Sequence, residues 1–365
     1  MTRLHELFDE QGQSPWLDNL QRSYLVDGTL ARKVAEGVRG VTSNPTIFAK
    51  AINGSSDYDE QIAEAIKRVS VEDAYWEAVI QDIQGACDAL MELYQSSGHE
   101  DGYVSIEVAP SLARDSEGTT TAAASLWERV ARPNVMVKIP GTAEGLPAIR
   151  LSIAAGINVN VTLIFSLDRY AKVIEAYQAG IADLLAGGGD PSDIHSVASF
   201  FVSRVDTEVD RRLDAIGTPE ALAARGHAAV DQAKLAFALA RAQFAGAAWE
   251  ASAKAGAHAQ RPLWASTSTK NDAYPELLYV DSLIGPGTVN TLPDATIDAF
   301  LDHGTVARTI DSDMDAVAKR WDTLGALGVD VESVSERLEE EGVASFAKSF
   351  DELIQALEDK ANKLS

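Results

Sequence analysis

Eight short β-like runs separated by longer helical stretches constrain this chain more than any other feature. They fall at 15–20, 38–43, 103–108, 135–139, 159–163, 196–201, 263–268 and 288–292. Repeated βα alternation implies a parallel sheet covered by helices, and eight units is the number that closes into an α/β barrel of the (β/α)8 kind. Reactive groups in such a barrel sit where the strands end, so chemistry is sought there.

The length of 365 residues, 46% of them hydrophobic, suffices for one large barrel, although two ordinary domains would also fit. No linker, low-complexity tract or composition break divides the chain, so one barrel domain over 1–365 is expected, with extra helices at 57–96 and 313–365. The latter are read as two helices, 313–327 and 343–365, with Glu339, Glu340 and Glu341 as a solvated face. The Ala-rich stretch 226–257 reads as one outer helix with Phe244 and Trp249 on its core stripe. Gly187, Gly188 and Gly189 follow a helical run and read as its C-cap and turn, not as a phosphate loop.

A net charge of −24 argues against nucleic acid as a partner, since such binding needs basic patches that displace counterions. It leaves room for a small phosphorylated ligand held by local cations. Cys87 is the only cysteine and lies among Ile83, Leu90 and Met91, which predicts a packed thiol in a reducing compartment. The charged start, Met-Thr-Arg-Leu-His-Glu, is unlike a signal peptide, and no apolar run is long enough to span a bilayer. A cytoplasmic protein without membrane association is expected. Six histidines without His-x-His or His-Glu-x-x-His spacing, and one cysteine, predict no metal, and no Gly-x-Gly-x-x-Gly or Gly-x-Ser-x-Gly points to a dinucleotide or a serine hydrolase.

Alternation along Val135, Met136, Val137, Lys138 and Ile139 turns Met136 and Lys138 to one face, before Pro140 and Gly141 stop the run. Lys138 then points inward at a strand end. Desolvation disfavours the charged form of a lysine, and a neutral amine can attack a carbonyl to form a Schiff base. A lysine snorkelling out of a strand terminus has the same spacing. The run Asn158, Val159, Asn160, Val161, Thr162 sets three polar residues on one face, where they need partners or a ligand. The same period turns inward Asp18, then Gly40, Thr42 and Asn44, then Ser105 and Glu107. Two carboxylates thus accompany the lysine, either as proton carriers for carbon–carbon bond cleavage or as an ion pair that keeps it charged and inert. Arg204, at a predicted helix start after Ser199 and Phe201, offers a planar fork to a phosphate, and Ser266, Ser268 and Lys270 can join it.

These residues resemble the transaldolase family, in its longer bacterial and plant-type branch. Gly40-Val41-Thr42-Ser43-Asn44-Pro45-Thr46-Ile47-Phe48 is similar to one family signature and residues 135–148 to the second, around the Schiff-base lysine; the similarity runs from about 14 to 303. The resemblance implies a class I aldolase barrel without cofactor that moves a dihydroxyacetone unit between phosphorylated ketose and aldose substrates, as monomer or homodimer. It implies Lys138 as nucleophile, Glu107 in proton transfer through a water, Asp18 as acid/base for cleavage, and Thr162 orienting that water. Asn44 and Asn160 would hold the dihydroxyacetone hydroxyls and Ser199 the substrate, with Arg204 and Ser266 on the phosphate. One departure is Lys270, where the family has an arginine.

Two other readings compete. The related fructose-6-phosphate aldolases are shorter and resemble this chain less at Glu107, where they have glutamine, and at Phe201, where they have tyrosine. A sugar-phosphate-binding barrel without catalysis would keep Arg204 and Ser266 but would need no lysine beside two carboxylates.

Overall fold

The computed structural model describes residues 1–364, with side chains to Asp359. Eight parallel strands close into a barrel in chain order: β1 Gln13–Leu17, β2 Gly40–Val41, β3 Tyr103–Glu107, β4 Val135–Pro140, β5 Val159–Ile164, β6 Ser196–Phe201, β7 Arg261–Ala265 and β8 Thr288–Leu292. The fold is the (β/α)8 barrel that the alternation predicts. Three strands are shifted from expectation. β1 ends at Leu17, leaving Asp18 just beyond it, although the Asp18 amide still donates to the Leu292 carbonyl. β2 shrinks to two residues, and β7 starts earlier and stops at Ala265, which puts Ser266, Ser268 and Lys270 on a loop.

The barrel interior is layered. At the N-terminal strand ends Asp101 accepts from Arg39 at 2.6 Å, Ser14 at 2.7 Å and Arg261 at 3.2 Å, a buried network that joins four segments. Gly40 meets the ring of Trp16 here; a Cβ on it would lie 2.4 Å from that ring, so only glycine fits. Higher up, Ser199 donates to Asn160 at 2.7 Å and Asn160 donates to Ser105 at 3.0 Å, so the polar inner faces of β3, β5 and β6 satisfy one another. Lys138, Glu107 and Asp18 lie above, at the C-terminal ends.

Helices cover the outside, and several differ from their sequence reading. The expected helix at 226–257 is two, Ala228–Gln243 and Ala247–Lys254, separated near Gly246. Phe244 and Trp249 pack on Tyr177, with ring centres 6.1 and 6.0 Å away, so they belong to the core as expected. The stretch 57–96 holds Asp59–Ala65 and Val71–Ser96, the second capped by Ser70. Cys87 is buried in it, and burial pushes its thiol up. Gly187 caps the helix Leu167–Ala186 and Gly188 has φ 79°, the expected turn.

The last helix runs from Val331 to Leu364 and so begins twelve residues before the expected 343; Ser365 lies outside the described residues. It crosses the C-terminal mouth of the barrel. Glu339, expected in solvent, reaches Arg114 at 2.9 Å and Arg169 at 3.3 Å, while Ser335 donates to the Phe165 carbonyl at 2.9 Å. Gly342 lets the helix approach β5 closely, since a Cβ would come 2.9 Å from Leu163. No helix among the described residues is long and apolar enough to cross a membrane.

Candidate active site

Neighbouring strands set the reactive residues side by side. Glu107 pairs with Lys138 across β3 and β4, Lys138 pairs with Asn160 across β4 and β5, and Pro140 pairs with Thr162. The Lys138 Nζ lies 3.3 Å from Glu107 Oε2 and donates to the Ser43 carbonyl at 3.1 Å. Both side chains are buried. Burial pushes the Glu107 carboxyl up from its ordinary value; the Lys138 charge opposes this and the Asp18 charge adds to it. Asp18 is also pushed up, by burial first, against the hydrogen bond from Thr42 at 2.6 Å and the charges of Lys138 and Lys270.

A pocket of ≈ 350 Å³ opens above these groups, a size suited to a sugar phosphate. Ten of the twelve catalytic and substrate- or phosphate-binding candidates from the sequence line it: Asp18, Asn44, Lys138, Thr162, Ser199, Phe201, Arg204, Ser266, Ser268 and Lys270. The other two do not. Asn160 is fully buried below, with its amide group spent on Ser105 and Ser199. Glu107 faces a separate cavity of ≈ 10 Å³, about the room one water needs, lined also by Tyr75, Trp76 and Phe350. Apart from the Lys138 ammonium at 3.3 Å from Glu107 Oε2, that oxygen and Thr162 Oγ1 are buried without a hydrogen-bond partner, and they border different spaces.

Local structure explains how several side chains are held. Asn44 is the N-cap of the helix Pro45–Gly54, its Oδ1 accepting from the Ile47 amide at 2.9 Å, with Pro45 at the first helical position. Only its amide NH₂ is left to face the pocket. Next to Thr162 the β5–β6 register shifts, and Leu163 takes φ 59°. Ser266 has φ 57°; it shares a hydroxyl hydrogen bond of 2.9 Å with Ser203, and its carbonyl accepts from the Ser203 amide at 3.1 Å. The loop after β7 is thereby clamped to the helix Ser203–Ile216 that carries Arg204. Phe201 presents a ring to the pocket, 5.1 Å from Phe165, with the Arg204 guanidinium 5.7 Å above it.

The sequence reading missed two parts. Lys50, six residues after Asn44 on the helix it caps, joins Arg204 and Lys270 in the lining, and among the described residues none of these three cations is in a salt bridge. Burial, then the charges of Arg204 and Lys50, lowers the Lys270 ammonium, and burial lowers the Arg204 guanidinium. Three unpaired cations around one space can hold an anion. The helical spacing of Thr46, Ile47 and Lys50 was the available signal. Ser345 and Phe346 of the last helix also line the pocket, and Thr46 donates to Ser349 at 2.9 Å. A third expectation is corrected. Asn158 does not share the inner face with Asn160 and Thr162, because it lies before β5 and ties strand starts together, donating to the Pro133 carbonyl at 3.1 Å and accepting from the His195 amide at 2.8 Å.

The family profile described as Transaldolase/Fructose-6-phosphate aldolase matches residues 15–357. The chain belongs to that family. Its match continues through the barrel-covering helix, well past 303. A transaldolase of Thermobifida fusca (strain YX) is 51% identical over 354 residues, covering 96% of each chain. A transaldolase of Saccharopolyspora erythraea is 47% identical over 361 residues, 98% of each chain, and one of Parafrankia sp. is 52% identical over 291 residues, 79% of each. The chain is thus an enzyme of the transaldolase type, and the barrel mouth is where its chemistry belongs.

Proposed function

We propose that Lys138 forms a Schiff base with a ketose phosphate and carries a dihydroxyacetone unit from sedoheptulose 7-phosphate to glyceraldehyde 3-phosphate, yielding erythrose 4-phosphate and fructose 6-phosphate in the non-oxidative pentose phosphate pathway. The observation that carries this reading is a buried lysine at the barrel mouth, 3.3 Å from one carboxylate and beside a second, with three cations across the pocket.

The amine attacks the ketose carbonyl, and the carbinolamine loses water with a proton supplied through Glu107. A carboxyl whose proton is held more tightly by burial is suited to give and retake one during turnover. A water in the small cavity beside Glu107 would relay it. Thr162, one register step above Asn160, would orient water at the reacting carbon from its unpartnered hydroxyl. Asp18 removes the proton from the substrate hydroxyl next to the bond that breaks, which releases the aldose phosphate and leaves an enamine on Lys138. Return of that proton accompanies attack on the acceptor aldehyde. Asn44 and Ser199 face the three-carbon unit, and Asn160 holds Ser199 in place from below. Arg204, Ser266 and Lys270 hold the phosphate, joined by Lys50.

Phe201 sets the fate of the enamine. Its ring offers no proton, so the three-carbon unit stays on Lys138 until an aldehyde arrives. The barrel and the extra helices form one domain in this reading, because the last helix contributes Ser345 and Phe346 to the pocket. A packed lone thiol and phosphorylated substrates fit a cytoplasmic enzyme. Incubation with fructose 6-phosphate and borohydride is the test. One irreversible mass addition on Lys138 is expected, and none would be found on a barrel that only binds sugar phosphates.

A further inference from the structure

At the end of the barrel opposite the pocket, the segments leading into three strands bring Glu100, His195 and His258 together. Glu100 lies shortly before β3, His195 directly before β6 and His258 just before β7. One carboxylate oxygen and one ring nitrogen from each histidine lie within 4.8 Å of one another. We propose that these three residues bind a divalent transition-metal ion of the zinc class, with water completing its coordination, and that the ion clamps the N-terminal ends of β3, β6 and β7.

The first support is His195. It is 4% exposed, neither ring nitrogen has a hydrogen bond among the described residues, and Nε2 is wholly enclosed without a partner. A buried imidazole left unpaired calls for a ligand.

The second support is the way His258 is held. Its Nε2 lies 2.9 Å from the Ser192 carbonyl, which can only accept, so this nitrogen carries a proton and donates. In the neutral ring the lone pair is then on Nδ1, and Nδ1 faces Glu100 Oε1 at 3.0 Å. Two acceptors so close need a proton or a cation between them. A proton gives an ordinary ion pair and leaves the His195 nitrogens unpartnered, its ring only packing 4.2 Å from His258 and 5.5 Å from Tyr103. A metal ion satisfies all three groups, and an imidazole that donates its other N–H to a backbone carbonyl is the usual support of a metal-bound histidine.

Zinc lies about 2.0 to 2.2 Å from histidine nitrogen and carboxylate oxygen, which sets tetrahedral neighbours about 3.4 Å apart. The three donor atoms lie within 4.8 Å of one another, and the His195 and His258 rings are stacked with centres 4.2 Å apart, so ligation requires the partly exposed His258 and Glu100 side chains to turn toward a common point. Two imidazoles and a carboxylate favour zinc, nickel or copper over magnesium and calcium. Arg261 shares the single Asp101 carboxylate with Arg39 and acts on Glu100 and His195, while Asp193 adds a negative charge near His258. At this face of a barrel a bound ion serves stability and stands apart from the chemistry.

The test uses the full chain freed of metal with a chelator and titrated with zinc ion by calorimetry and thermal unfolding. One zinc ion per chain is expected, with Tm raised by about 3 °C at a hundredfold excess over Kd, while magnesium leaves Tm unchanged. Glu100→Gln and His258→Gln each change a partly exposed side chain outside the catalytic pocket. Each should weaken zinc binding by about tenfold or more and remove the zinc-induced rise, with transaldolase turnover unchanged. Absence of saturable zinc binding in the original chain, or equal binding in both variants, would overturn the proposal. Should one variant fail to fold, the other decides, and a cobalt(II) spectrum of the original chain without imidazole–metal bands counts equally against the site.

Discussion

Lys138 and Glu107 occupy directly paired positions of β4 and β3, and their charged ends meet at 3.3 Å beneath the pocket. Parallel register alone puts amine and carboxylate at one height, so the pair does not depend on loop conformation. An arginine at 138 stays charged at any working pH and cannot form a Schiff base. Lys138→Arg should abolish turnover and borohydride trapping while leaving the circular dichroism spectrum intact. Substantial turnover in the folded variant would end the Schiff-base mechanism.

The cations across the pocket separate phosphate binding from catalysis. Arg204 is more buried than Lys50, so its charge-assisted bonds are screened less. Such a bond is worth about 1.5 to 3 kcal/mol, and Arg204→Ala should raise KM for fructose 6-phosphate by about 10- to 100-fold. An unphosphorylated ketose donor should lose little. Lys50→Ala should produce the same pattern at a few-fold. Equal losses for both donors would assign Arg204 to structure.

Phe201 lies 5.1 Å from Phe165, and replacing its ring by tyrosine changes little but adds a hydroxyl beside the pocket. With a proton donor present, the enamine can be protonated before an acceptor arrives. Phe201→Tyr should raise acceptor-free release of glyceraldehyde 3-phosphate from fructose 6-phosphate and lower transfer to erythrose 4-phosphate. An unchanged ratio of the two rates would show that the ring does not control partition.

Asp206, on the helix that carries Arg204, gives a pH-dependent stability. Burial raises its carboxyl to about 6, against hydrogen bonds from the Ala229 amide at 2.8 Å and the Tyr279 hydroxyl at 2.8 Å. The folded state therefore holds this proton more tightly than the unfolded chain does. Its contribution is fully present below about pH 4 and is lost as pH rises through about 6, a change of about 2 to 3 kcal/mol. Asp206→Asn keeps an acceptor for Ala229 and removes the titration. Urea unfolding at pH 4 and pH 7 should show the original chain losing this much more stability than the variant over that interval, and parallel losses would contradict the assignment.

Much of this protein was legible along the chain because the deciding physics is local. A period of two turned Lys138, Glu107 and Thr162 inward whatever surrounds them. The barrel followed from eight such runs separated by helices. Strand limits were less secure at Asp18 and Ser266, because where pairing stops depends on the neighbouring strand.

Only tertiary packing decided the rest. Glu339 looks like any solvated glutamate until Arg114 and Arg169, more than 160 residues earlier, are folded against it. The start of the last helix at Val331, its passage over the pocket at Phe346 and the recruitment of Lys50 depend on the same docking. Glu100, His195 and His258 have no ligand spacing in sequence, and barrel closure alone brings them together. Periodicity fixes which way a side chain faces, because it is a property of the local backbone. Which distant side chain it then meets depends on how the barrel closes, and separation along the chain carries no trace of that.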